Sequence, residues 1–215
     1  PPGAHGRRVP LRPEIPLNFE SLKIVGLCTL GAIMYGIAHD MVTAHVCVEY
    51  FSAGHKNIFG EHFTGPPFVY ALYWGVVATW WVGFPAGVLL ALVARLPGLP
   101  KLTWRQVARP MAIGLSILWL AAMVLLFVNL PLGRRGIGGI FVPRPELGEA
   151  EDRFVTVAGV HMFSYSAAVV AIVIVAGVLV SKRVRPRRAA LNAQRQPSPP
   201  SAPDTLPTAP PSSRR

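Results

Sequence analysis

The sequence predicts an all-α integral membrane protein, built as a four-transmembrane-helix bundle with a disordered C-terminal tail. Of its 215 residues, 52% are hydrophobic and only 14% are charged, whereas soluble domains carry about 25% charged residues. Four apolar stretches approach or exceed the roughly 20 residues that a helix needs to cross a bilayer. The net charge of +11 comes from basic residues in the tails and short loops beside these stretches, a placement typical of membrane topology rather than of nucleic-acid binding.

The first predicted span follows an N-terminal tail, residues 1–21, which is rich in proline and arginine and has no apolar period. This span covers residues 22–42, and residues 24–38 contain no charged side chain. Cys28, Ala32 and Gly36 place small side chains one turn apart, a spacing that lets another helix approach closely. We expect the helix to continue towards Phe51 as an amphipathic extension at the membrane surface.

The second predicted span covers residues 67–95 and follows a polar connection, residues 43–66, that contains His45, His55 and His62. A small residue recurs at every fourth position of this span: Ala71, Gly75, Thr79, Gly83, Gly87 and Ala91. Such a stripe predicts tight helix packing, so we expect the second span to be the centre of the bundle. Pro85 removes one backbone hydrogen bond and should kink the helix.

The third and fourth predicted spans cover residues 110–132 and 154–180. Pro110 would lie in the first turn of its helix, where a missing N–H does no harm. The loop between the two spans contains a glycine-rich run at residues 133–139, but this run follows an apolar helix instead of a strand, so a nucleotide site is rejected. Residues 181–215 begin with a basic segment and continue as a Pro/Ser-rich tail that we expect to be disordered.

The loops predict the orientation of the chain. Both tails and the loop between the second and third spans are basic with almost no acid, whereas the loop at residues 133–153 offsets its arginines with acids. Because Lys and Arg accumulate on the cytoplasmic side, we expect both termini in the cytoplasm and the histidine-bearing connection outside.

A group of ionisable residues at membrane depth is the one hint of chemistry, because such residues are costly unless they are paired. On a helical wheel Tyr35, His39, His45 and Glu49 lie within about 120° of one another, while Asp40 points about 100° away from His39. His161, about two turns into the fourth span, should reach a similar depth. A metal site would therefore draw its ligands from these five residues: His39, Asp40, His45, Glu49 and His161.

Imidazole and carboxylate ligands suit zinc, iron or copper, and helical bundles place such ligands on facing helices. A haem between His39 and His161 is a variant of this hypothesis. In the alternative reading, His39 and Asp40 bond neighbouring helices while His45 and Glu49 form an ordinary helical pair. No HExxH or Cys-x-x-Cys motif supports a metal. Ser164 follows His161 by three residues but lacks the elbow motif of a serine hydrolase.

Residues 35–51 read YGIAHDMVTAHVCVEYF, and this segment resembles one found in a family of uncharacterised bacterial multi-pass membrane proteins. The run GVVATWWVG at residues 75–83 is similar too. The resemblance implies a small multi-pass protein of a bacterial inner membrane and brings no established activity. It also implies arginine at the position of His45, which leaves His39, Asp40 and Glu49 as better ligand candidates.

Two classes of function remain open from the sequence. The first is a scaffold or accessory subunit that contacts membrane lipid and either another membrane protein or a second copy, through the stripe of Gly75, Thr79, Gly83 and Gly87. The second is a metal-binding membrane protein, enzyme or carrier, that uses the outward-facing His/Asp/Glu group. The stripe and the lack of a clear catalytic set favour the first.

Overall fold

The computed structural model describes residues 19–54 and 65–195, and the regular structure in these ranges is entirely helical. The helices are α1 (Phe19–Val46), α2 (Glu49–Ser52), α3 (Pro67–Val77), α4 (Trp80–Arg95), α5 (Trp104–Asn129) and α6 (Glu151–Arg195). Short 3₁₀ turns at Gly133–Arg135, Ile137–Ile140 and Pro145–Ala150 connect α5 to α6. Four segments are long and apolar enough to cross a membrane: α1, the α3–α4 pair, α5 and α6. The predicted all-α, four-span architecture is confirmed.

The bundle has two ends. At the basic end α1 and α5 begin and α4 ends. The basic part of α6, residues 182–188, lies at the same end. At the loop end α1 and α5 end and α6 begins, beneath the 3₁₀ turns. Buried apolar side chains such as Ile24, Val107 and Leu179 fill the basic end, and a second cluster that includes Leu126 and Val160 fills the loop end. Apolar residues such as Ile117 and Val173 are exposed on the outer surface of the bundle, as expected for surfaces that face lipid.

α1, and not the second span, is the centre of the bundle. It packs along α3 and α4 and also contacts α5 and α6. A Cβ atom at Gly75 would lie only 2.6 Å from the Ile37 backbone, and one at Gly83 would lie 2.9 Å from the Cys28 carbonyl oxygen. Small residues are therefore required where the second span crosses α1. The stripe that was expected to meet a partner is covered by α1 of the same chain.

The second span is interrupted between α3 and α4, at Ala78 and Thr79. The Thr79 hydroxyl donates to the Gly75 carbonyl oxygen at 2.5 Å, and the Tyr165 hydroxyl from α6 donates to the Ala78 carbonyl oxygen at 3.3 Å. Side chains thus satisfy backbone groups that the interruption frees, as a membrane interior demands. Pro85, where the sequence predicted a kink, lies inside α4 after this interruption.

The helices extend beyond most of the predicted bounds. α5 begins at Trp104 with a capping box between Thr103 and Gln106, so Pro110 lies inside the helix. Pro110 has no N–H for the Gln106 carbonyl oxygen, and Lys182 Nζ donates to that oxygen at 3.2 Å.

At the chain's C-terminal side, the predicted fourth span ended at residue 180, and α6 continues to Arg195. The basic segment at the start of the expected tail is therefore helical, and Pro186 lies inside the helix. Residues 1–18, 55–64 and 196–215 lie outside the described residues, and with them lie His55, His62 and most of the two predicted tails.

Arg183 joins α6 to the end of α4 at the basic end, and it is only 1% exposed. Its Nε donates to the Pro100 carbonyl oxygen at 2.8 Å, and its Nη2 donates to those of Leu99 at 3.1 Å and Leu96. Its Nη1 donates to the Val93 carbonyl oxygen at 2.5 Å. The last carbonyl groups of a helix have no partner within the helix, so the guanidinium supplies their hydrogen bonds and places positive charge at the negative end of the helix dipole.

Candidate metal centre

Three ionisable side chains from α1 and α6 meet inside the bundle near the loop end. The Asp40 Oδ1 atom lies 3.1 Å from His39 Nδ1 and 3.7 Å from His161 Nε2. One potential ligand atom from each residue lies within 4.8 Å of those of the other two. All three residues are buried, with exposed fractions of 2% for His39, 4% for Asp40 and 8% for His161. We refer to them as the His39/Asp40/His161 cluster.

The central position of α1 explains why consecutive residues both join the cluster. Neighbouring residues on a helix project about 100° apart, which led the sequence analysis to place Asp40 away from His39. At this level of the bundle, however, α1 is enclosed, and Gly36, Thr43 and Ala44 are buried together with His39 and Asp40. The side chains of His39 and Asp40 therefore both point into the protein although they leave α1 in different directions. His39 precedes the end of α1 at Val46 by seven residues, which places it about 10 Å below that end.

The distances around Asp40 fit a bound cation. A carboxylate oxygen and an unprotonated imidazole nitrogen both present lone pairs, so a separation of 3.1 Å requires a proton or a cation between them. Bonds of about 2.0–2.2 Å to a tetrahedral ion place its ligand atoms roughly 3.3–3.6 Å apart. The separations of 3.1 and 3.7 Å bracket this range. The longer one exceeds the usual length of a hydrogen bond.

Hydroxyl groups surround the two imidazole rings. His39 Nε2 lies 3.3 Å from Ser164 Oγ, which also accepts a hydrogen bond of 3.1 Å from the Tyr35 hydroxyl. His161 Nε2 lies 3.3 Å from Thr43 Oγ1, whose hydroxyl donates to the His39 carbonyl oxygen. Ser164 contacts the His39 nitrogen that does not face Asp40, as does a partner that orients a metal-binding imidazole. Thr43 instead lies beside the His161 nitrogen that itself faces Asp40.

Aromatic rings close the cluster on the side of the loop end. The centroid of the Tyr50 ring lies 4.6 Å from that of His161, and the Phe51 centroid lies 5.6 Å from it. Burial raises the pKa of the Tyr50 hydroxyl, so this residue stays neutral at physiological pH. The His39 and His161 rings contact each other edge to face, with centroids 4.6 Å apart. That contact leaves no space for a haem macrocycle between them.

His45 and Glu49, which the sequence analysis included among the ligands, lie outside the cluster. The helical wheel assumed a helix that continues past Glu49, but α1 ends at Val46 and the chain turns into α2. His45 is exposed, and its Nδ1 lies 2.6 Å from the Met41 carbonyl oxygen in its own helix. Glu49 accepts a hydrogen bond of 3.2 Å from the Cys47 thiol.

Part of the surroundings of the cluster was not predicted from the sequence. Thr43 follows His39 by one helical turn and Ser164 follows His161 by about one turn, a spacing that places each hydroxyl on the face of its imidazole. The spacing of Ser164 and His161 was recognised in the sequence, whereas that of Thr43 and His39 was missed. Tyr50 and Phe51 gave no such signal, because they reach His161 only after the chain turns back at Cys47.

A cavity extends from the cluster between the helices. At the cluster its walls include Tyr35, Ser164 and Tyr165, and at its other end they include Leu90 and Val175. Its volume is about 110 Å³, and part of it is open to the outside. The buried cluster is therefore accessible from within the bundle.

Comparison of the chain with protein-family models, curated proteins and solved structures finds no match. A function for this chain therefore has to be inferred from the chemistry and surroundings of the cluster.

Proposed function

We propose that this chain is a metal-binding membrane protein in which His39, Asp40 and His161 bind one divalent transition metal. The observation that supports the proposal is the pair of distances from Asp40 Oδ1, 3.1 Å to His39 and 3.7 Å to His161. Two imidazoles and one carboxylate suit zinc or iron, and imidazole also suits copper. Three protein ligands leave a coordination position for water or a substrate, the arrangement typical of catalytic sites.

The charge of the site favours the same proposal. A carboxylate at the centre of a membrane helix costs about 2.5–3.5 kcal/mol on insertion scales, and Asp40 is almost completely buried. A divalent cation between Asp40 and the two imidazoles would offset this cost. Its binding would require both imidazoles to be neutral and would release any proton held between the ligands, so metal affinity should rise with pH.

A scaffold or accessory subunit was the function that the sequence favoured. Its main support was the small-residue stripe, for which an outside partner was expected. A Cβ atom at Gly87 would lie 2.8 Å from the Val25 Cα atom, so this part of the stripe also serves packing within the chain. A partner would need another surface, and nothing in such a role requires the buried cluster.

We also propose that the cluster lies near the outer face of a bacterial inner membrane, with both termini in the cytoplasm. The segment between α4 and α5 and the start of α5 contain Lys101, Arg105 and Arg109 without any acid. The loop end offsets its arginines with acids such as Glu151 and Asp152. The positive-inside rule supports this orientation, and the resemblance of residues 35–51 to bacterial proteins supports the choice of membrane.

The test is metal analysis, with a visible spectrum, of freshly purified protein prepared without chelator or a histidine tag. We expect about one metal ion per chain in the wild type, as a three-ligand site implies, and loss of that metal in His39→Ala and His161→Ala. His45→Ala is the matched control, because His45 lies on the same helix near the same end but outside the cluster.

Retention of metal in the His45→Ala variant together with its loss in the two cluster variants would support the site. A wild-type protein without metal would overturn the proposal and restore the scaffold as the better hypothesis. Equal losses in all three variants would also contradict it, since they would place the metal elsewhere. Size-exclusion profiles establish that each variant is folded, and Asp40→Asn supplies a variant of nearly unchanged shape.

A further inference from the structure

The cavity beside the cluster changes from polar to apolar along its length. Its polar end is lined by Tyr35 and Ser164, whose hydroxyls bond each other, together with the cluster. Tyr165 also lines this end, and its hydroxyl donates to the Ala78 carbonyl oxygen. Nearly all the remaining lining residues are apolar or glycine. The exception, Thr79, turns its hydroxyl onto the Gly75 carbonyl oxygen. A molecule that fills this cavity therefore needs one polar end and a long apolar part.

The length of the cavity matches one lipid chain. His39 and Cys28 both line it, and a separation of eleven positions along α1 corresponds to about 16 Å. The hydrocarbon core of a bilayer is about 30 Å thick, so a chain within one leaflet spans about half of that distance. Small side chains keep the cavity open along the helices; they include Ala32, Ala86, Gly114, Ala168 and Ala171.

A second cavity meets the first at the cluster. It shares His161 and Tyr165 with the first cavity and is also lined by Tyr50 and Arg144. Arg144 is exposed, with its guanidinium 5.0 Å from the centroid of the Phe154 ring. A positive charge thus stands on the loop-end side of the cluster, in the direction opposite to the apolar part of the first cavity.

We propose that the first cavity binds a long-chain fatty acid, with the chain between the helices and the carboxylate at the His39/Asp40/His161 cluster. The position of the carboxylate rests on the proposed metal site, whereas the position of the chain rests on the cavity alone. A divalent metal with the Asp40 carboxylate and two neutral imidazoles leaves a net positive charge, and Arg144 adds a second. Both charges favour an anionic head over a neutral one.

The probe is palmitate with a photoreactive diazirine at the end of its chain, added to the full-length protein in lipid nanodiscs. We expect saturable labelling of residues that line the apolar part of the cavity, such as Leu115 and Val175. Unlabelled palmitate should compete, and hexadecane, which has the chain without the carboxylate, should not. Labelling that cannot be saturated and falls on the outward-facing Val173 and Ile174, which are 65% and 61% exposed, would overturn the proposal.

Gly114→Leu tests the cavity directly. A Cβ atom at Gly114 would have the Val175 side chain as its nearest neighbour, at an ordinary contact distance of 3.6 Å, so a larger side chain can enter the cavity without displacing the backbone. Gly177→Leu is the matched control, because Gly177 is exposed on α6 and a Cβ atom there has no atom within 4 Å. We expect Gly114→Leu to weaken palmitate binding about tenfold or more, equivalent to two methylene groups that lose their burial. Gly177→Leu should bind as the wild type does.

The metal content of the same samples separates the two proposals. Gly114→Leu that retains its metal but loses saturable labelling supports the fatty-acid site. A metal-free wild type that still shows saturable labelling overturns the metal site and the placement of the carboxylate, and it supports the chain site. A metal-loaded wild type without saturable labelling, or in which hexadecane competes as well as palmitate, overturns the fatty-acid site alone.

Discussion

The bundle buries ionisable side chains at both of its ends, and the chemical groups differ between the two ends. At the basic end, Arg183 directs its guanidinium N–H groups at carbonyl oxygens in the last turn of α4 and in the segment after it. At the loop end, Asp40 faces the nitrogens of two imidazole rings. The first arrangement matches donors to acceptors. The second brings together groups that can all donate electron pairs to a cation.

This difference separates a structural role from a chemical one. Arginine is always protonated and has five N–H donors in a fixed plane, so Arg183 can bond several carbonyl groups without any additional component. Imidazole and carboxylate groups change their charge with their ligands and with pH. The hydrogen bonds of Arg183 are therefore supplied by the chain alone, whereas the proposed role of the loop end depends on a metal ion.

The comparison predicts its largest effect on stability at the basic end. Replacing Arg183 by methionine removes the donors and leaves the carbonyl groups of Leu99, Pro100 and Val93 without that partner. We expect the free energy of unfolding to fall by about 3–5 kcal/mol, the range measured when one partner of a buried charged interaction is removed. Reversible unfolding in mixed detergent micelles measures this change.

Arg187→Met is the control for that experiment, since Arg187 lies one turn further along α6 and is exposed. Its free energy of unfolding should stay within about 0.5 kcal/mol of the wild type, as for most surface substitutions. If the two variants lose equal stability, the hydrogen bonds of Arg183 do not stabilise the contact between α6 and α4. Arg183 would then have no structural role to set against the chemistry of the loop end.

Asp40→Asn should have the opposite signature. With a chelator present, the variant should be at least as stable as the wild type, because the substitution removes a carboxylate from the membrane interior. At a free metal concentration of 100 times its dissociation constant, the wild type should gain about 2.7 kcal/mol, and the variant should gain much less. The measurement is the same unfolding transition with and without metal. A large loss of stability in the chelated variant would show that Asp40, like Arg183, has a structural role.

The sequence predicted the second span well because both of its ends have strong signals. Pro66 precedes it, Pro67 is its first residue, and Arg95 followed by Pro97 closes it. The end of α6 was misplaced because Pro186 and the basic residues around it indicate the end of a helix, whereas α6 continues through them to Arg195. The prediction that the second span is central was wrong because a stripe of small residues shows where a helix is crossed closely, but not which of the two helices is enclosed.

The site was predicted in part for a similar reason. His39 and His161 were found because they interrupt apolar segments at matching depths. Asp40 was included although the wheel directed it elsewhere, and enclosure of α1 on both sides brings it to His39. His45 and Glu49 would be neighbours only if α1 continued to Glu49, but α1 ends at Val46. Periodicity predicts a face of a helix, whereas tertiary packing decides whether the helix continues and how many of its faces are buried.

The reactivity of the Cys47 thiol tests whether the loop end of the bundle stays closed. The thiol is 2% exposed, and burial, together with its hydrogen bond to Glu49, raises its pKa from 9.0 to about 12. The sign follows from the charge: burial disfavours the thiolate, so the folded protein holds this proton up to a higher pH than the unfolded chain does. At pH 8 the thiolate fraction is then about 10⁻⁴, against about 10⁻¹ for a thiol of pKa 9.0.

Because only the thiolate reacts, we expect iodoacetamide to alkylate Cys47 about a thousandfold more slowly in the folded protein than in the detergent-unfolded chain. Mass spectrometry of the Cys47 peptide measures both rates, and Arg183→Met provides a useful comparison. If that variant loosens only the basic end, Cys47 stays slow to react in it; if α1 responds as one rigid unit, the rate rises. Rapid alkylation in the wild type would contradict the closed loop end, because it would show that the cover of His161 formed by Tyr50 and Phe51 opens as often as an exposed loop does.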